Sequence, residues 1–331
     1  MKILKKVGII CSCMVLITTS LIGCGSTQTS KDANNKQEAV ENVKNINISY
    51  VKAPLNVPSI VEKKKNLFED EFSKDSIKVT FPEITEGGKM TEAVAAGSLD
   101  FCNAIGATSV ILAAANGVNI KIIGMYSRAP KAFTIMAKDP SIKTVADLKG
   151  KKIVGPKGTI LHQLLLGALK NGNMKIEDVQ FINMGIPQGV SAMMSGSADV
   201  ALVAGATVPQ AIEKGAHVIT TGEGILDATI VIAASGNFLD KHPDIAKRYM
   251  AVHNKSLEFM KSNQEETYKL ASEETGISID KVKEMYTWYD FNPQITDKDM
   301  KELEKTQAFL KENAMLNKTI DIKGLIKDIT K

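Results

Sequence analysis

Residues 147–169 read DLKGKKIVGPKGTILHQLLLGAL. The stretch opens on a turn ending at Gly150, runs as a short β-branched segment over 152–155, breaks at Gly155-Pro-Lys157-Gly158-Thr159, and resumes as a helical pattern over 160–171. A strand that passes through a glycine-rich loop into a helix is the unit of α/β folds with largely parallel sheets. The same alternation extends outward in both directions. Strands are expected at 46–51, 77–81, 101–105, 121–126 and 133–137, then in a second series at 152–155, 179–183, 200–204 and 217–220, with one more apolar run at 228–234. Helices are expected at 58–68, 88–96, 109–116, 160–171, 187–195 and 208–214, and the tail from 241 onward reads as almost wholly helical.

Two strand series imply two lobes, and the length agrees: 331 residues exceed what one hydrophobic core usually accommodates. Asp139-Pro140 and the turn ending at Gly150 mark a break over 138–150, and 222–228 reads as a return crossing. Lobe one is therefore expected to be discontinuous, 46–138 plus 228–331, with lobe two at 139–227 and a ligand cleft between them. Forty-one Lys plus Arg against 37 Asp plus Glu leave a net charge of only +4, interspersed along the chain, which disfavours nucleic acid as a partner. Aromatic residues at 5%, with one tryptophan, argue against a stacking platform for bases or sugars.

The amino terminus reads as an address. Lys2, Lys5 and Lys6 precede a largely apolar run over 7–22, the charged and greasy regions of a secretory signal over 1–23. The run is short for a membrane span. LIGC at 21–24 is similar to the lipobox of bacterial lipoproteins, which implies a lipid on Cys24 and an anchor at the outer face of a bacterial cell membrane. Residues 24–45, rich in Ser, Thr, Asn, Gln and Lys, read as a flexible tether. Cys11 and Cys13 would leave with the signal, so only Cys102 stays in the body and no disulfide forms within it.

Small or hydroxylated residues collect where strands hand over to helices: Gly106-Ala-Thr108-Ser109, Gly155-Pro-Lys157-Gly158-Thr159, Gly185-Ile-Pro187 and Gly205-Ala-Thr207. In an open α/β sheet such junctions lie at the carboxyl ends of the strands, where ligands bind. Helix starts there present free N–H groups and partial positive charge to an anion. Plain helix capping is the competing explanation at any single junction. Junctions from two lobes facing one cleft favour a ligand site.

YVKAPLNVP at 50–58, GGKMTEAVAAGSLDF at 87–101, the 147–169 stretch and MSGSADVALVAGATVPQAIEKGAHVI at 194–219 occur in that order. Together they resemble the nitrate, sulfonate and taurine group of ABC-transporter substrate-binding proteins, which includes relatives that bind thiamine-pyrimidine precursors. The most specific feature is the pair EAVAAGSLDF and AMMSGSADVAL, a helix ended by Gly97 or Gly196 and a strand opened by Asp100 or Asp199. The resemblance implies a type II periplasmic-binding-protein-like fold, a monomer that needs no cofactor or metal, capture of a small anionic or zwitterionic solute such as a sulfonate, nitrate or related oxyanion, and delivery to ABC permease subunits. Its cleft-lining positions fall here on Lys52, Ala53, Pro54, Leu55, Gly106, Ala107, Thr108, Lys157, Gly158, Thr159, His162, Gly185, Pro187 and Thr207. The chain departs from the sulfonate binders in one place: 200–204, VALVA, lacks the tryptophan often found after the second glycine-aspartate unit.

A different class of function, a cofactor-free enzyme on the same fold, would use Cys102. That cysteine sits inside an expected strand, which suits a buried structural thiol better than a nucleophile. His162, His217, His242 and His253 show no metal-binding spacing, and no GxSxG, Walker or dinucleotide motif occurs.

Overall fold

The structure, a computed structural model, describes residues 43–52 and 55–329. The expected signal peptide, the lipidation residue Cys24, most of the tether, and Ala53 and Pro54 of the first-strand loop lie outside the described residues.

Among the described residues ten strands form in chain order: β1 (Asn45–Asn47), β2 (Lys78–Thr80), β3 (Phe101–Gly106), β4 (Ile120–Arg128), β5 (Phe133–Ala137), β6 (Lys152–Gly155), β7 (Gln180–Asn183), β8 (Val200–Ala204), β9 (His217–Thr221) and β10 (Thr229–Ser235). The helices threaded between them are α1 (Val57–Lys64), α2 (Leu67–Phe72), α3 (Gly87–Ala95), α4 (Ala107–Ala115), α5 (Ile160–Asn171), α6 (Ile186–Ser195) and α7 (Thr207–Glu213). The tail adds α8 (Gly236–Lys241), α9 (Pro243–Ser262), α10 (Gln264–Thr275), α11 (Ile279–Tyr286), α12 (Asp297–Glu312) and α13 (Ile322–Leu325).

Two sheets result, in the two-lobed arrangement expected. In the first, β10 lies antiparallel between β3 and β4, and an Ile48–Phe101 bridge brings the parallel pair β1–β2 alongside β3. The second runs β7-β6-β8-β5-β9, with β5 antiparallel to both β8 and β9. The orders correspond strand for strand. In each lobe the single antiparallel strand is the one that has just crossed from the other lobe.

That crossing corrects one expectation. The run 133–137, expected in lobe one, pairs residue for residue with Val200–Ala204. The first crossing is therefore at 129–132, ahead of the Asp139-Pro140 break. Asp139-Pro140 is instead a surface turn inside lobe two, where Ser141 N–H donates to Asp139 Oδ1 at 2.8 Å. The crossings at 129–132 and 222–228 touch each other: Gly222 N–H donates to the carbonyls of Pro130 and Phe133, both at 3.0 Å. The end of the expected tether also proves structured, since Asn45 pairs with Lys78 and Val43 packs on the core. The expected helix 58–68 is two helices, α1 and α2, parted at Asn66, whose φ of 52° no helix accepts.

The paired glycine-aspartate units do the same work in both lobes. Gly97 and Gly196 end α3 and α6 in left-handed conformation, with φ of 70° and 78°. Asp100 then takes Asn47 N–H at 2.8 Å, and Asp199 takes Lys152 N–H at 2.7 Å, so each carboxylate fixes the register of the neighbouring strand.

Candidate functional site

A cavity of about 150 Å³ lies between the sheets, walled by residues of both lobes. Met90, Ile105 and Ile230 of lobe one and Ile160, Ile186 and Phe133 of lobe two make most of its surface apolar. A cavity of that size holds roughly six heavy atoms, about the volume of benzene.

Among the described residues five helices begin on the cavity, four of them of eight residues or more. Gly87 opens α3, Gly106 precedes α4, Thr159 precedes α5, and Ile186 opens α6, and all four residues line it. No side chain caps any of the four. Thr159 has the residue type of a cap, yet its hydroxyl turns away and donates to the Pro156 carbonyl at 2.8 Å. The first-turn N–H groups are left without helical acceptors, although Pro187 removes one from α6. Together the helix starts offer an oxyanion donors and partial positive charge with no basic residue. Thr207, at the start of α7, adds a hydroxyl.

The strand that delivers α4 is bent to do so. Ala104 has φ of 65° within β3, beside a register shift between Val231 and Ala233, and this bulge turns Ile105 and Gly106 into the cavity wall. Across the gap Ile160 packs so closely that a β-carbon at Gly106 would lie 3.1 Å from its side chain. Ser109, another lining residue, donates from Oγ to the Gly158 carbonyl at 3.0 Å, joining the lobes at the wall. A second link lies behind it. Thr108 Oγ1 donates to Gln163 Oε1 at 2.8 Å, and Gln163 Nε2 donates to Thr306 Oγ1 at 3.3 Å, tying α5 to α4 and α12.

Of the residues expected at the cleft, Gly106, Thr159, Pro187 and Thr207 line the cavity. The others do not. Leu55 is wholly buried in the core, and Ala107 and Thr108 sit one layer back, beside a space of about 10 Å³. Gly158, with φ of 74°, shapes the loop and offers its carbonyl to Ser109, while Gly185 precedes α6 at the rim. Lys52 and Lys157 are exposed and off the wall. His162 is buried, stacked on Phe181 at 4.7 Å, and its Nδ1 accepts the Gly158 N–H at 3.3 Å. Burial, helped by the nearby charge of Lys157, lowers its pKa to about 4, so it is a neutral support for the loop. Glu86 was not anticipated. It is the one ionisable residue on the wall among the described residues, and Lys89 donates to its Oε1 at 2.8 Å. Cys102 is fully buried in β3, and burial pushes its thiol pKa far up, the opposite of what a nucleophile needs.

Two α/β lobes joined by paired crossings, with uncapped helix starts around one small cavity, define a two-lobed solute-binding fold. The chain belongs to the NMT1/THI5-like family, whose model matches residues 54–267. It is 29% identical over 95% of its length to an aliphatic sulfonates-binding protein of Bacillus subtilis (strain 168), covering 92% of that relative. It is 25% identical over 85% of its length to the Escherichia coli (strain K12) protein of the same name, covering 88% of it. Among solved structures, the alkanesulfonate-binding protein SsuA from Xanthomonas axonopodis pv. citri, bound to MOPS, matches with a TM-score of 0.79 at 21% identity, over 87% of this chain and 99% of that one. That likeness carries the fold.

Proposed function

We propose that the chain is the extracytoplasmic solute-binding component of an ABC importer and captures a small oxyanion, a sulfonate first and nitrate or a related anion or zwitterion next, by closure of its two lobes. The single observation that carries this reading is the cavity itself: four uncapped helix starts meet there on largely apolar walls, with no basic side chain among the described residues. An alkyl oxyanion matches both properties, its charged head toward the N–H groups and its chain toward Met90, Ile160 and Ile230. Relatives named as sulfonate- and taurine-binding proteins support the same ligand class.

On this reading the protein works by binding rather than turnover, delivers its solute to permease subunits, and acts as a monomer. Its lobes are divided at the two crossings, 45–129 plus 228–329 and 133–221. Cys24 carries the lipid anchor, and mass spectrometry of membrane-derived protein is expected to find the mature chain starting there with a diacylglyceryl group. An unmodified amino terminus at Met1 would refute the anchor.

A thermal-shift panel of alkanesulfonates, taurine, nitrate, bicarbonate, amino acids and thiamine-pyrimidine precursors tests the ligand. A true ligand at a hundred times its dissociation constant stabilises the fold by about 2.7 kcal/mol. Stabilisation by a neutral pyrimidine and by no oxyanion would overturn the ligand class. Silence across the panel would overturn solute capture.

A further inference from the structure

Among the described residues Glu86 is the one ionisable group on the wall of the cavity. It sits at the rim, with its side chain 39% exposed, immediately before α3 and across from the start of α6. A β-carbon at Gly185 would lie 3.6 Å from Glu86 Oε1, so the carboxylate reaches the facing lobe. Its only partner among the described residues is Lys89, on Oε1. Lys89 is 65% exposed, and an exposed pair of this kind contributes little. The carboxylate is thus available to a cationic group inside the cleft, where water is partly excluded and a charge-assisted hydrogen bond counts for more.

We infer that Glu86 is a specificity-determining residue and that the ligand is a short zwitterion, an oxyanion at one end and an ammonium group at the other. The inference rests on the oxyanion capture proposed above. A plain alkyl oxyanion brings a second negative charge to a wall that already carries one and has no cationic side chain. A zwitterion gives the helix starts their anion and Glu86 its cation, with the apolar side chains around the spacer between them. The cavity of about 150 Å³, close to what benzene fills, limits that spacer to about two carbons.

Titration calorimetry on the full-length chain tests this with matched pairs that differ only in ammonium against methyl: 2-aminoethanesulfonate with propane-1-sulfonate, and 3-aminopropanoate with butanoate. The native protein is expected to bind the ammonium member of one pair at least about tenfold more tightly. Glu86→Gln is expected to bring that ratio to within about twofold, weakening the zwitterion and leaving the methyl analogue unchanged or tighter. Equal affinities in the native protein, a ratio that survives Glu86→Gln, or a parallel loss of both ligands would each overturn the inference and leave oxyanion capture standing. Binding of none of the four compounds would count against the capture of organic oxyanions, and this inference would fall with it.

Discussion

Asp100 and Asp199 occupy the same place in the two halves of the molecule. Each follows a helix-ending glycine, opens a central strand, donates its own N–H at 3.0 Å to the strand beside it, and accepts an N–H from that strand with its carboxylate. The surroundings differ. Asp100 is half-buried, takes a second bond from Asn47 Nδ2 at 3.1 Å, and has its pKa raised by burial. Asp199 is exposed and makes one side-chain bond. A shared backbone device sets register in both lobes, while burial decides how much stability each copy contributes. Lobe one uses the device as a buried joint; lobe two uses it as a surface clip.

Asp100→Ala is accordingly expected to give the largest effect, a loss of about 3 kcal/mol in urea unfolding, because two hydrogen bonds to a charged acceptor disappear and Asn47 is left without them. A loss under about 1 kcal/mol would erase the contrast between the halves.

Acid should then separate the lobes. His162 of lobe two has a folded pKa of about 4, below its unfolded value of about 6.5. The unfolded chain takes up the proton first as pH falls, so the stability held in neutral His162 is full above about pH 6.5 and is lost toward pH 4. The native protein is expected to lose about 2 kcal/mol more over this window than His162→Gln. Identical pH profiles for the two proteins would remove His162 as the cause.

Gln163 joins the halves. Gln163→Leu leaves the buried hydroxyls of Thr108 and Thr306 without this partner, and it is expected to cost about 1 to 2 kcal/mol in the unfolding of the free protein and to lower ligand affinity several-fold in calorimetry. Unchanged affinity would mean that the link does not contribute to closure. Asp199→Ala is the smallest change, about 1 kcal/mol or less, since water replaces an exposed acceptor readily.

The elements that the sequence resolved best were those with an unmixed signal. The run 133–137, the strand 152–155, the strand 200–204 and the helix 160–171 form with the boundaries expected. Sheet membership was harder. The apolar run FTIMA reads the same whichever sheet receives it, and only long-range pairing with Val200–Ala204 decides. At the site, glycine, threonine and proline junctions announced Gly106, Thr159, Pro187 and Thr207 because turn chemistry is local. Met90, Ile186 and Ile230 carry no such mark, since an isoleucine facing a ligand is written like one facing the core. Lys52 and Lys157 are exposed and do not line the cavity, a distinction that a charged residue in a loop does not carry in its sequence. Glu86 was hidden by the expectation of an anion-binding cleft.

The bond from Gly222 to Pro130 has a mechanical consequence. The two crossings are fastened to each other at this point, and a β-carbon on Gly222 would come within 2.7 Å of the Pro130 carbonyl oxygen. Two separate straps would let the lobes twist as well as swing. Two straps tied together at this point favour opening and shutting about a single line over twisting.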